Sequence, residues 1–152
     1  MFRHAKKVFY TLLLASPLYS CSEDAEFKDV KAPVITLVSP ADEAVFYPGD
    51  TILVEAVLED ETGLATWQVT IHENSDGHSH GRLKAAEFAF EKSFDVSGKR
   101  VEVSEKIAIP ADAETGHYHF IVKAIDQLGN ATSFADGSTV EREIEIAEKL
   151  EE

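Results

Sequence analysis

From Pro33 almost to the C-terminus, apolar side chains recur at every second position. This parity constrains the chain more than any other feature. A segment patterned at period two buries one clean face only as a β-strand; wound into a helix, the same residues would scatter around the axis. "TILVEAVLED" (51–60) sets Ile52, Val54, Ala56 and Leu58 on one side and Glu55 and Glu59 on the other. "WQVTIH" (67–72) groups Trp67, Val69 and Ile71 against Gln68, Thr70 and His72. "EFAFEKSFDV" (87–96) aligns Phe88, Phe90, Phe94 and Val96, and "VEVSEKIAI" (101–109) aligns Val101, Val103, Ile107 and Ile109, with Glu105 interrupting the row as a β-bulge would. "HYHFIVKAI" (117–125) and "TVEREIEI" (139–146) repeat the pattern with Tyr118, Phe120, Val122 and Ala124, then Val140, Ile144 and Ile146.

Clusters of Gly, Pro, Asp and Asn separate these runs: "YPGD", "DETG", "VSGK", "PADAETG", "DQLGN" and "ADGS". Short strands at this spacing, with no long helical segment, predict an all-β fold. The expected architecture is an immunoglobulin-like antiparallel β-sandwich of about seven strands, A at 34–38 with a continuation near 44–47, then B to G. Trp67 falls where such folds keep a core tryptophan on strand C, and Tyr118 where a tyrosine corner opens strand F. The domain is expected over residues 33–147, with 148–152 as a charged tail.

Residues 1–20 have a different character. Arg3, Lys6 and Lys7 precede the apolar run "VFYTLLLASPL", which is too short to cross a bilayer of ~30 Å as a helix. That is the layout of a secretory signal. It ends in "LYSC", which resembles the bacterial lipobox and makes Cys21 the expected lipid anchor, with residues 21–32 as lipidated cysteine and polar tether. Cys21 is the single cysteine, so no intrachain disulfide forms, and acylation gives it a fate. "SEDAE" (22–26) resembles the short acidic signal that sends lipoproteins to the outer face of the outer membrane, so a surface-exposed, outer-membrane location is expected.

Three of the 14 basic residues and none of the 28 acidic ones lie in 1–20, so removing that stretch takes the formal net charge from −14 to −17. Such a surface repels nucleic acid, whose binding rests on neutralised phosphates. It also leaves the acyl chains, rather than headgroup contacts, to hold the membrane.

Five of the six histidines sit in two short stretches, "HENSDGHSHG" (72–81) and "GHYHF" (116–120). By parity His72 faces outward at the end of strand C, and His117 and His119 face outward at the start of strand F. In an immunoglobulin-like fold those two strands are antiparallel neighbours, so the three meet at one end of one face. The loop leaving strand C carries His78 and His80 from the same corner. Residues i and i+2 of a strand stand roughly 6.5 Å apart on one side, close enough for two imidazoles to lean onto one ion at ~2.0–2.1 Å. Glu73 and Asp76 are the expected supporting carboxylates.

No thiol is left after acylation and the only methionine is Met1, so a sulfur-rich site is excluded. Imidazole ligands favour Zn(II), with Cu(II) and Ni(II) next. Other readings compete. The histidines are a solvated loop feature, or a cluster that repels itself once protonated. A calcium-stabilised adhesion module would use Asp60, Glu61, Asp126 and Asn130, although "DETG" and "DQLGN" are ordinary turn sequences and lack the D-x-D-x-D-G run of a calcium loop. Catalysis finds no G-x-S-x-G elbow, no Gly-rich phosphate loop and no H-E-x-x-H helix, and Arg82 stands where an H-x-H-x-D motif needs aspartate. No enzyme is expected.

"PVITLVSPADEAVFYPGDTILVEAVLED", "IHENSDGHSHG" and "AIPADAETGHYHFIVKAIDQLGN" together resemble the lipoprotein family known as domain of unknown function 4625, from about Pro33 to Ile146. The resemblance implies a single β-sandwich on a Bacteroidota-type lipoprotein, and no established activity. The expected function is metal capture at the envelope, or presentation of the metal to an outer-membrane uptake partner. The alternative is a non-catalytic adhesion or assembly module with no specific metal site.

Overall fold

A computed structural model describes residues 29–74 and 88–149. Its elements are β1 (Val34–Ser39), β2 (Ala44–Phe46), β3 (Thr51–Glu73), β4 (Phe90–Ala108), β5 (Gly116–Asp126) and β6 (Val140–Ile146). Among the described residues there is no helix. The runs expected as separate strands B and C are one 23-residue strand, β3, and those expected as D and E are one 19-residue strand, β4. The reason lies in "DETG". It does not reverse the chain: β3 takes five steps from Glu59 to Leu64 while β4 takes two from Arg100 to Gly98, and pairing resumes on the far side. The surplus residues fold out as a bulge, which Gly63 permits with φ of +111°.

This bulge divides the sheet into two wings. The first half of β3 pairs with β1 and with the second half of β4, and the second half of β3 pairs with β5 and with the first half of β4. The order β1-β3-β5-β6-β2 completes the sheet, with β2 parallel to β6 and the other pairings antiparallel. Ile52, Val54, Leu58 and Ile107 from one wing join Val69, Ile71, Phe120 and Ile144 from the other in a single buried cluster. The chain is all-β and its strand arrangement is immunoglobulin-like.

Both expected landmarks sit in that core. Trp67 is 3% exposed and stacks on Phe94 with ring centroids 4.7 Å apart. Tyr118 is fully buried, and its hydroxyl donates to the Glu114 carbonyl at 2.7 Å, four residues upstream. This is a tyrosine corner. Glu105, by contrast, makes no bulge. It pairs in regular register with Val54, and its partly exposed carboxylate accepts from Lys92 Nζ at 3.3 Å. One charged side chain in an apolar row is thus accommodated by a neighbouring lysine rather than by the backbone.

Candidate functional site

The second half of β3 and the start of β5 run antiparallel with His72 directly opposite His119. Their inward neighbours Ile71, Tyr118 and Phe120 are buried, so parity turns both imidazoles to the outer face. The two rings lie 5.2 Å apart, tilted by 42°. His117 stands two residues before His119 on the same face. The Asn74 N–H donates to the His117 carbonyl at 2.8 Å, which carries the β3–β5 ladder to the point where the chain enters 75–87. His78, His80 and Asp76 belong to that stretch and, like Cys21, lie outside the described residues.

Each of the three described imidazoles sets Nδ1 against an acceptor, in ion-pair contact for His117 and His119 and by a hydrogen bond for His72. His117 Nδ1 meets Glu143 Oε1 at 2.9 Å, His119 Nδ1 meets Glu141 Oε1, and His72 Nδ1 meets the Glu73 carbonyl at 3.1 Å. Neither of the two supporting glutamates was among the residues expected from the sequence. Both come from β6, whose "VEREIEI" alternation carries Glu141, Glu143 and Glu145 outward beside the histidine row. That alternation was the available signal. The contact of Glu73 with His72 is through its carbonyl, and by strand parity its side chain faces the other side. Asn74 Nδ2 also donates to Glu143 Oε2 at 3.3 Å, steadying that carboxylate.

These contacts have a chemical consequence beyond stability. Half-exposed pairs of this kind contribute about 1 kcal/mol or less. An imidazole whose Nδ1–H donates to a carboxylate or carbonyl, however, is held as the tautomer with its lone pair on Nε2. Among the described residues no Nε2 of the three makes a hydrogen bond. No group of three ligand atoms within 4.8 Å of one another includes these imidazoles, again among the described residues.

The group that does converge is at the other end of β5. Asp29, Asp60 and Asp126 each offer a carboxylate oxygen within 4.8 Å of the other two. Asp29 is 4% exposed, Asp126 2% exposed and Asp60 half-buried. Each spends Oδ1 on its own turn. Asp29 accepts from the Lys31 N–H at 2.9 Å; Asp60 from the Thr62 and Gly63 N–H groups, both at 2.8 Å; Asp126 from the Leu128 and Asn130 N–H groups at 2.8 and 2.7 Å. Burial pushes the Asp126 carboxyl up. Hydrogen bonds from the Asn130 side chain and from the backbone of Asn130, Leu128 and Gly129 outweigh that and hold it below the usual aspartate range. Two like unit charges about 5 Å apart repel by roughly 3 kcal/mol at an effective dielectric near 20.

The calcium alternative raised by the sequence named Glu61 where the structure has Asp29. Glu61 is exposed and takes Lys31 Nζ at 3.4 Å. Asn130 braces the cluster, with Nδ2 donating to Asp126 Oδ2 at 2.6 Å and to the Asp29 carbonyl at 3.2 Å. Asp29 was hidden because it precedes the first patterned strand and lies 31 and 97 positions from its two neighbours in sequence.

Solved structures of low similarity include catalytically inactive OgpA from Akkermansia muciniphila in complex with an O-glycopeptide (15% identity, TM-score 0.48). That match covers 76% of this chain and 29% of OgpA. A DUF4466 family protein from Parabacteroides merdae matches at 14% identity and TM-score 0.47, over 78% and 46% of the respective chains. The titin domains Z1Z2 in complex with telethonin match at 21% and 0.32, over 82% and 51%. The chain thus spans about half or less of each of these structures. No curated protein matches it. The family model for a domain of unknown function, DUF4625, matches residues 19–147, which takes in the whole of the patterned sequence, and the chain belongs to that family.

Proposed function

We propose that this protein is a lipid-anchored module of the cell envelope that captures a transition metal ion on the outer face of β5, zinc first, with Cu(II) or Ni(II) next. One observation carries the reading. His72, His117 and His119 all set Nδ1 against an acceptor, two of them against glutamates of β6, and among the described residues Nε2 has no hydrogen-bond partner on any of the three rings. Imidazoles that bind zinc are held in this way by carboxylates and carbonyls behind them. His78 and His80 would complete the ligand set from the segment that leaves β3 beside His117. Cys21 would hold the module to the outer membrane, and the metal would be stored there or passed to an uptake partner.

The test is calorimetric titration of ZnCl2 into the full-length chain at pH 7.5 and 5.5, beside a variant with all five histidines replaced by alanine. Near one-to-one binding that is lost at the lower pH, where protons compete for the ligand nitrogens, supports the reading. Heats equal to those of the five-alanine variant overturn it. The His–Glu pairs would then be cross-strand contacts, and the protein an adhesion or assembly module.

A further inference from the structure

We infer that Asp29, Asp60 and Asp126 form a calcium site that clamps the N-terminal entry of the chain to the β3 bulge and the turn after β5. Convergence of three carboxylates does not by itself make a site, since acidic side chains often gather without an ion. The second observation is Asp29 Oδ2, which is buried and accepts no hydrogen bond, in a residue 4% exposed to solvent. A buried carboxylate oxygen with no donor is costly unless a cation or a proton meets it. Among the described residues no lysine or arginine pairs with any of the three. Lys31 is spent on Glu61 and Arg100 on Glu59.

The dimensions suit calcium. The three carboxylate oxygens lie within 4.8 Å of one another, no farther than two oxygens on opposite sides of a calcium ion at ~2.4 Å, and calcium accepts an irregular oxygen set where magnesium demands a near-ideal octahedron. The donors are carboxylates, as a hard cation prefers, and the Thr62 hydroxyl lies between two of them, 2.8 Å from Asp60 Oδ1 and 3.5 Å from Asp126 Oδ2. The turns are hydrogen-bonded before any ion arrives. Each Oδ1 is fixed by backbone N–H groups of its own loop, so the cost of ordering the ligands is already met by the fold. The ion would join three segments remote in sequence, and it would neutralise the charge that now opposes their contact.

The experiment is a thermal melt and a calorimetric titration of the chelator-treated full-length chain with CaCl2, with MgCl2 in parallel. The expected result is near one-to-one calcium binding, and a Tm raised by about 5–10 °C at saturation. Asp29→Asn and Asp60→Asn keep the Oδ1 acceptor of each turn and remove one charge, so each should fold and lose at least about tenfold in calcium affinity. A variant with His72, His117 and His119 replaced by alanine should respond to calcium as the wild type does, which separates this site from the zinc reading. No calcium heat and a Tm shift below about 1 °C in the wild type would sink the inference. So would full calcium response in both asparagine variants, and an equal response to magnesium would overturn the choice of ion.

Discussion

The two ends of β5 gather ligand-type side chains by opposite means. At its start, His117 and His119 stand on an open sheet face, beside His72 of β3 and the glutamates of β6. At its end, Asp126 is 2% exposed and meets Asp29 and Asp60 across three turns. The histidine end is built by strand parity and pairing, so its groups are neighbours through regular geometry, and each imidazole has an acceptor beside Nδ1 without an ion. The aspartate end is built by loops packed over a bulge, and it leaves one buried oxygen unsatisfied. The difference teaches where an ion would matter to the fold. Removing ligands from the open face should change binding and little else, whereas changes at the buried end should change stability as well.

The largest expected effect tests whether the histidine face depends on the core beneath it. Tyr118→Ala removes a fully buried ring from between His117 and His119 and should destabilise the protein by about 3–5 kcal/mol in urea unfolding. Tyr118→Phe, which loses the hydrogen bond to the Glu114 carbonyl, should cost about 1 kcal/mol.

Next comes the aspartate end. Asp126→Ala strips acceptors from the Leu128 and Asn130 N–H groups and should cost about 2–3 kcal/mol even in chelator, because hydrogen bonds to a charged group are lost in a buried turn. A cost no greater than that of replacing a surface aspartate would erase the contrast between the ends.

A smaller effect is expected at the histidine face. Glu141→Gln should weaken zinc binding by about 10–100-fold in calorimetry, since it loosens the group that orients His119. Replacing His117 and His119 together by alanine should change unfolding free energy by less than about 1 kcal/mol.

The smallest effect concerns Asp136, on the segment joining β5 to β6 and outside the triad. The Ser138 hydroxyl, then the Ser138 N–H, hold its carboxyl below the usual aspartate range. The sign follows from that direction. A carboxyl depressed in the folded state adds stability above its unfolded value near 3.9, and that contribution is lost as pH falls through the folded value. Nothing should therefore change near neutrality. An NMR titration should place the Asp136 midpoint below that of an ordinary aspartate, and Ser138→Ala should bring it back.

Much of the histidine face is legible in the chain's local pattern. The parity of "WQVTIH" and "GHYHF" suffices to turn His72, His117 and His119 to the outward side of their own strands, because strand side chains alternate as long as the register holds, and the pairing of β3 with β5 puts them on one face. Tyr118 and Trp67 are legible for the same reason. The continuity of β3 is not, because "DETG" reads equally as a hairpin turn or as a bulge, and only pairing with β4 on both sides of it decides. Glu141 and Glu143 are visible as an alternating acidic row, but which strand they lie beside is not.

By itself, then, the sequence determined the all-β class and the inward and outward residue of each strand, since both are local consequences of a two-residue period, whereas the pairing of β3 with β5 brought His72 beside His119. Tertiary structure alone decided which carboxylates stand behind His117 and His119, and it alone brought Asp29 to Asp60 and Asp126. Local pattern carries no information on contacts between turns, because a loop has no periodicity to extrapolate. The packing of both wings over one core brings those turns together.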